Sequence, residues 1–266
     1  MYSDCHLHTE FSGDCETPVR EQIETAIALG MKELCITDHH DYDAECSDTD
    51  FTLDVEHYLP ALKKYQEEYQ DRINLLIGIE FGLQPHLTDY EQDFFSRYNF
   101  DFVIGSTHFI DNADPYCPCF FEGRSEQDAY SRYFEVQAEN IRRFRHYDSA
   151  GHLDYIFRYG PDQNRNFRYS IYADYLDDIL KTLISRGKGL ECNTAGLRKG
   201  LGQPNPHLDI IRRYRELGGE IITLGSDAHV SRDIGYRFEE AGKLLTDCGF
   251  SYYTTFHNQK PVFHKL

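Results

Sequence analysis

The segment SDCHLHTEFSGDC, residues 3–15, places Asp4, His6, His8 and Asp14 among apolar and small residues. On a strand, side chains two positions apart share a face, so His6 and His8 project together. Two neutral imidazoles with a carboxylate nearby can chelate a divalent transition metal. Taken alone, these residues fit two histidines solvated at a strand edge equally well. The pattern recurs, however, in TDHH (37–40), GIE (78–80), GSTH (105–108), GHLD (151–154) and GSDAH (225–229). Asp38 to His40, Glu80, His108, His152, Asp227 and His229 therefore all close short apolar runs. A single histidine after such a run is commonly structural. The same end of run after run points to one shared site.

Those residues need strands to carry them. The runs SDCHLH, KELCITDHH, INLLIGIE, FDFVIGSTH, YDSAGHLD, KGLECN and EIITLGSDAH read as seven strands. Amphipathic helices alternate with them. Thr17 as N-cap and Pro18 at the first position open a helix with Val19, Ile23, Ala26 and Ile27 on one stripe, closed by Gly30. Residues 54–70, 126–146, 171–186 and 206–217 follow the same spacing, with Pro206 starting the last. Alternation of this kind predicts an α/β fold with a mostly parallel sheet. At this length it closes into a TIM-like barrel, whose C-terminal face collects the strand ends. The tail from Phe250 reads as a hairpin turning near Asn258 to Lys260, and residues 111–125 as a long loop beside the site.

Bulk properties narrow the functions. The chain has 266 residues, 40% of them hydrophobic, with 20 Tyr, 18 Phe and no Trp, which suits one globular domain over 1–266. No apolar run approaches the roughly 20 residues of a spanning helix, and MYSDCHLHTE lacks a signal peptide's basic and apolar regions. The expectation is a soluble cytoplasmic protein without a membrane partner. The eight cysteines show no CxxC spacing. Cys35 and Cys192 read as small buried hydrophobes in a reducing compartment, and Cys117–Pro118–Cys119 as a weak metal signal. A net charge of −18 argues against a broad nucleic-acid surface and repels any anionic substrate unless metal ions reverse the local field.

At the motifs DCHLH, TDHH, GIE, GSTH, GHLD and GSDAH the chain resembles the polymerase-and-histidinol-phosphatase (PHP) superfamily of metal-dependent phosphoesterases. GSTHFI, HLDYIFRYG and NTAGLRKG look more narrowly like its stand-alone histidinol-phosphate phosphatases. The resemblance implies a distorted barrel of seven β/α units and three divalent transition-metal ions (Zn, Mn or Fe). It assigns His6, His8, Glu80 and Asp227 to one ion, with Glu80 bridging to a second held by His108 and His152. His39, His229 and Asp14 would hold the third, Asp14 standing where many relatives have His. Three such ions against three carboxylates leave a pocket of about +3, and water held by metals becomes a nucleophile near neutral pH.

Arg158 in IFRYG and Arg198 in AGLRKG each follow a strand-end motif. Their forked guanidinium donors suit phosphate oxygens, as catalytic and substrate-binding groups. His40 is a further substrate-binding candidate, although adjacent strand residues face opposite ways. The resemblance implies hydrolysis of L-histidinol phosphate to L-histidinol and phosphate in histidine biosynthesis. Its rivals are a relative acting on nucleotides or other small phosphate monoesters, and a metal-stabilised interaction domain without catalysis.

Overall fold

The short apolar runs assemble into one parallel sheet. In the computed structural model, which describes residues 2–44 and 49–266, the strands are β1 (Glu33–Ile36), β2 (His39–His40), β3 (Asn74–Gly82), β4 (Phe102–Ser106), β5 (Ser149–Ala150), β6 (Gly189–Asn193) and β7 (Ile222–Gly225). Their order is β1-β3-β4-β5-β6-β7. β1 and β2 both pair with β3, so they form one line interrupted at Thr37 and Asp38. The register sets His39 beside Glu80, and Glu80 beside Ile104.

Residues 4–8 close the ring. Asp4 bridges Leu34 on one side, and Leu7 bridges Ala228 on the other. Cys5 N–H donates to the Leu224 carbonyl, His8 N–H to Ala228, and Asp227 N–H to His6. On the opposite edge Cys35 and Thr37 donate to Asp4 and Leu7. The result is the expected distorted barrel, its first wall built from the N-terminal segment.

Strand alternation explains what lies inside. Along β3, Leu75, Ile77, Ile79 and Phe81 belong to the large core under the helices. Leu76 faces the other way, into a small cluster with Phe102, Ile104 and Phe256. Counting by two from Leu76 reaches Gly78 and Glu80. Counting from Phe102 and Ile104 reaches Ser106 and His108. The barrel interior is thus apolar at its floor and polar at its C-terminal mouth. Phe256 plugs the floor, stacked on Phe102 at 5.1 Å. It comes from a hairpin of β8 (Tyr252–His257) and β9 (Lys260–Lys265), turned at Asn258 and Gln259 with positive φ at both.

Helices cover the outside. In α5 (Ala173–Ser185) Leu176, Ile179, Leu180 and Leu183 recur at helical spacing and are all fully buried. α2 (Val55–Tyr69) and α4 (Glu126–Arg143) are capped by side chains, Asp54 accepting from His57 N–H and Ser125 from Asp128 N–H. α1 (Val19–Ala28) starts one residue later than expected, with Pro18 at the N-cap. Thr17 does not cap it, because its hydroxyl donates to the His229 carbonyl at 2.8 Å. The short α6 (Ala195–Arg198) follows β6, and α7 (Leu208–Glu216) is capped by His207 rather than begun by Pro206.

Helices α3 (Thr88–Arg97) and α8 (Phe238–Asp247) were not apparent from apolar spacing. Cys117 and Cys119, a weak metal signal in the sequence, are instead joined to each other by a disulfide. Cys5, Cys15, Cys35, Cys192 and Cys248 are free and buried, and Cys46 lies outside the described residues. No helix among the described residues is long and apolar enough to cross a membrane.

Candidate metal centre

The strand ends converge on Glu80, which is completely buried at the barrel mouth. Its Oε2 lies 3.2 Å from His6 Nε2, 3.6 Å from His8 Nε2 and 2.9 Å from His39 Nδ1. Its Oε1 lies 2.9 Å from His152 Nε2 and 3.3 Å from His108 Nε2. Asp227 approaches from the opposite wall, with Oδ1 3.4 Å from His8 Nε2. Nearer the solvent, His229 Nε2 is 3.1 Å and His39 Nε2 3.9 Å from Asp14 Oδ2. The structure therefore gathers His6, His8, Asp14, His39, Glu80, His108, His152, Asp227 and His229 into one cluster.

Hydrogen bonding behind the rings fixes how several of them face. His6 Nδ1 meets Glu191 Oε1 at 2.6 Å, and His108 Nδ1 meets Asp41 at 2.9 Å. His8 Nδ1 meets the Ser12 hydroxyl at 3.1 Å, and that hydroxyl itself donates to Asp38. His229 Nδ1 meets the Asp227 carbonyl at 3.1 Å. In each neutral ring the nitrogen engaged from behind is the donor, which leaves Nε2 as a lone-pair acceptor facing inward.

The consequence is a set of buried atoms with nothing to bond. His6 Nε2, His8 Nε2, His39 Nδ1 and Glu80 Oε2 have no hydrogen-bond partner. Burying an unpaired acceptor costs about 1–3 kcal/mol, and acceptors facing acceptors repel as well. Divalent cations between them would satisfy every one, so the donor set fits metal ions. Triads within mutual reach among the described residues are His6, His8 and Glu80; Glu80, His108 and His152; His8, His39 and His229; His6, His152 and Asp227; and His39, Asp41 and His108. Their imidazole nitrogens and, in all but the His8, His39 and His229 triad, a carboxylate oxygen are the donors of a borderline transition metal.

The electrostatics agree. Burial alone would push the Glu80 carboxyl up, but the facing His6, His39 and His108 hold it well below the usual carboxylate range. Against burial, each of these rings is itself pushed up by the carboxylates around it, so the carboxylates draw positive charge to this space. Burial acts likewise on Asp227, where Arg158 and His8 outweigh it and hold it low. Burial and the neighbouring His39 and His229 rings push His8 down, so it stays neutral and able to ligate.

A cleft of 430 Å³ opens over this cluster, and Arg158, Arg198 and Lys199 are among its lining. Arg158 is held rigidly: Nε donates to Asn205, Nη1 to Asp227 and Nη2 to Asn193, at 2.8–3.1 Å. Arg198 donates to the carbonyls of Ser226 and Asp227 and pairs with Asp233 at 3.2 Å. Of the five N–H donors on each guanidinium, some remain free to face the cleft. Asp114 and Tyr116 bring the 111–125 loop to its rim.

His40 is not brought there. Its Nδ1 accepts from Leu53 N–H at 3.1 Å, its Nε2 meets Tyr90 Oη at 2.8 Å, and its ring stacks on Phe94. As the alternation of strand residues implies, it faces the helical layer while His39 faces the barrel mouth. Asp41 and Glu191 were not singled out from the sequence. Glu191 could have been: in GLECN the apolar Leu190 and Cys192 face the outer core, which turns Glu191 and Asn193 inward. Asp41 follows β2 in a loop, where no periodicity marks it.

Residues 4–195 match the family model of the PHP domain. The chain is 32% identical to a histidinol-phosphatase from Lactococcus lactis over 258 residues, covering 97% of this chain and 95% of that protein. It is likewise 32% identical to a probable histidinol-phosphatase from Clostridium acetobutylicum over 266 residues, covering 99% and 96%. Among solved structures, a histidinol phosphate phosphatase from Lactococcus lactis, complexed with zinc, L-histidinol and phosphate, superposes with a TM-score of 0.90. That match has 31% identity and covers 98% of both chains.

Proposed function

This chain belongs to the PHP domain family, and we propose that it is a histidinol-phosphatase, hydrolysing L-histidinol phosphate to L-histidinol and inorganic phosphate in histidine biosynthesis. The reaction class rests on one observation: the inward-facing nitrogens of His6, His8 and His39 share a buried space with an unpaired oxygen of Glu80. The substrate rests on likeness to the Lactococcus lactis proteins over nearly the whole chain.

His6, His8, Glu80 and Asp227 would hold one divalent ion, and Glu80, His108 and His152 a second. His39, His229 and Asp14 would hold a third, zinc being the ion in the relative's structure. Bound there, such ions supply charge neutralisation for a phosphoryl group and lower the pKa of water into the neutral range.

The protein's own groups do the positioning. Arg158 and Arg198, locked by their partners along one side of the cleft, present their remaining N–H donors to phosphate oxygens without losing side-chain freedom on binding. The burial of Glu80 and its histidines keeps bulk water from competing for the reacting group. We take residues 1–266 to work as one cytoplasmic domain on a small phosphate monoester, without nucleic acid.

The test is phosphate release from L-histidinol phosphate, AMP and a simple alkyl phosphate at matched metal and pH. L-histidinol phosphate should lead by at least about a hundredfold in kcat/KM, roughly 2.7 kcal/mol. Equal rates, or a preference for AMP, would overturn the substrate and leave the metallophosphatase standing.

A further inference from the structure

At His6, His8, His108 and His229 the nitrogen facing the centre is decided from behind, and at two of these rings a carboxylate decides it. We infer that Asp41 and Glu191 are positioning residues that hold His108 and His6 by Nδ1–H and turn Nε2 toward Glu80. Each carboxylate occupies space that exists only because a glycine stands opposite. The inference rests on the metal-centre reading above and extends it to residues outside the ligand set.

Glu191 engages three parts of the site. Oε1 lies 2.6 Å from His6 Nδ1, while Oε2 accepts from the His152 backbone N–H at 2.7 Å and from Asn193 Nδ2 at 3.2 Å. Asp41 offers both oxygens to His108 Nδ1, at 2.9 and 3.1 Å. Both residues are almost fully buried, 1% and 2% exposed. Their ion pairs among the described residues are with histidines alone, Glu191 with His6 and Asp41 with His39 and His108. No lysine or arginine competes for either carboxylate, so the negative charge is directed at the rings. A carboxylate behind a metal-facing histidine fixes its tautomer and raises its basicity as a ligand.

The glycines supply clearance. A Cβ at Gly225 would collide with Glu191 Oε1 and with His6 Cβ. A Cβ at Gly82 would collide with the Asp41 carboxylate. Neither glycine has positive φ, so their lack of a side chain meets a steric need and not a conformational one.

Zinc affinity of the stripped protein, measured by competition with a chromophoric chelator, tests this without reference to catalysis. Glu191→Gln and Asp41→Asn should each weaken zinc by about 10- to 100-fold. Glu191→Ala and Asp41→Ala should weaken it more, because the carboxamide retains an acceptor oxygen. Gly225→Ala and Gly82→Ala should weaken zinc in the same direction while both carboxylates remain in the chain. Melting of the metal-free variants provides the structural control. In zinc-loaded protein with ¹⁵N-labelled histidine, the Nδ1–H resonances of His6 and His108 should shift upfield in the matching carboxamide variant.

Zinc affinity within twofold of wild type in both carboxamide variants, with unshifted resonances, would overturn the positioning role and leave the metal centre intact. A wild-type protein that bound no zinc would overturn both.

Discussion

Arg158 Nη1 donates to Asp227 Oδ2 at 2.8 Å, while the other oxygen of the same carboxylate faces His8 Nε2 at 3.4 Å. One carboxylate thus joins the guanidinium lining the cleft to the metal-facing imidazoles. Arg198 touches only the Asp227 carbonyl, not its side chain.

This asymmetry separates the two arginines. Arg158→Ala should lower kcat/KM by about a hundredfold or more, roughly 2.7 kcal/mol, and should also weaken metal binding by releasing Asp227. Arg198→Ala should cost about tenfold to a hundredfold with metal content unchanged. Lysine should rescue Arg158 poorly, since it lacks the planar fork that reaches Asp227, Asn205 and Asn193 together. Kinetics with metal analysis of each variant checks this, and equal metal loss in both would refute it.

Glu80→Ala should cause the largest loss of bound metal of any single ligand change, because its two oxygens serve two groups of histidines. Metal analysis of protein purified without chelator should give close to three ions per wild-type chain. One ion or none in fully active wild type would end the trinuclear assignment.

His40→Phe should destabilise the fold by about 1–3 kcal/mol, since Leu53 N–H and Tyr90 lose their partner. Its kcat/KM should stay within about threefold of wild type. A large rise in KM without a loss of stability would restore His40 to the substrate.

Asp148 should leave a pH signature on stability. Burial raises its carboxyl from 3.8 to about 6. The native state therefore holds a proton that the unfolded chain releases. The resulting stabilisation is full below about pH 3.8 and is lost as pH rises through about 6. Relative to Asp148→Asn, wild type should gain roughly 1 kcal/mol between pH 8 and pH 5, measured by urea unfolding. A difference that does not change with pH would refute the shift.

The ligand positions were legible because each closes an apolar run, and a barrel brings such ends to one rim. The alternation that sends Glu80 inward beneath Ile79 and Phe81 can be read directly from INLLIGIEFG. Asp41 escaped because nothing local distinguishes a carboxylate in a loop from a solvated one. Its meaning arises from His108, 67 positions away. Helix α3 escaped because TDYEQDFFSR is largely polar and only Glu91 and Phe94 are buried in it. The capping role of Thr17 failed to a tertiary competitor, the His229 carbonyl, which no sequence window contains.

The seam at residues 4–8 makes synthesis order matter. His6 and His8 are made more than two hundred residues before Leu224 and Ala228, the neighbours that hold one side of their strand in place. During translation the β1 side of this segment, Cys35 and Thr37, is available early, but the other side is missing until the seventh strand has emerged. A nascent chain can therefore form β1 through β6 and their helices without yet owning a complete metal site. Ring closure and completion of the site thus depend on the same strand. An ion captured there stabilises the joined ends by mass action, so metal supply should decide how long the finished barrel stays shut.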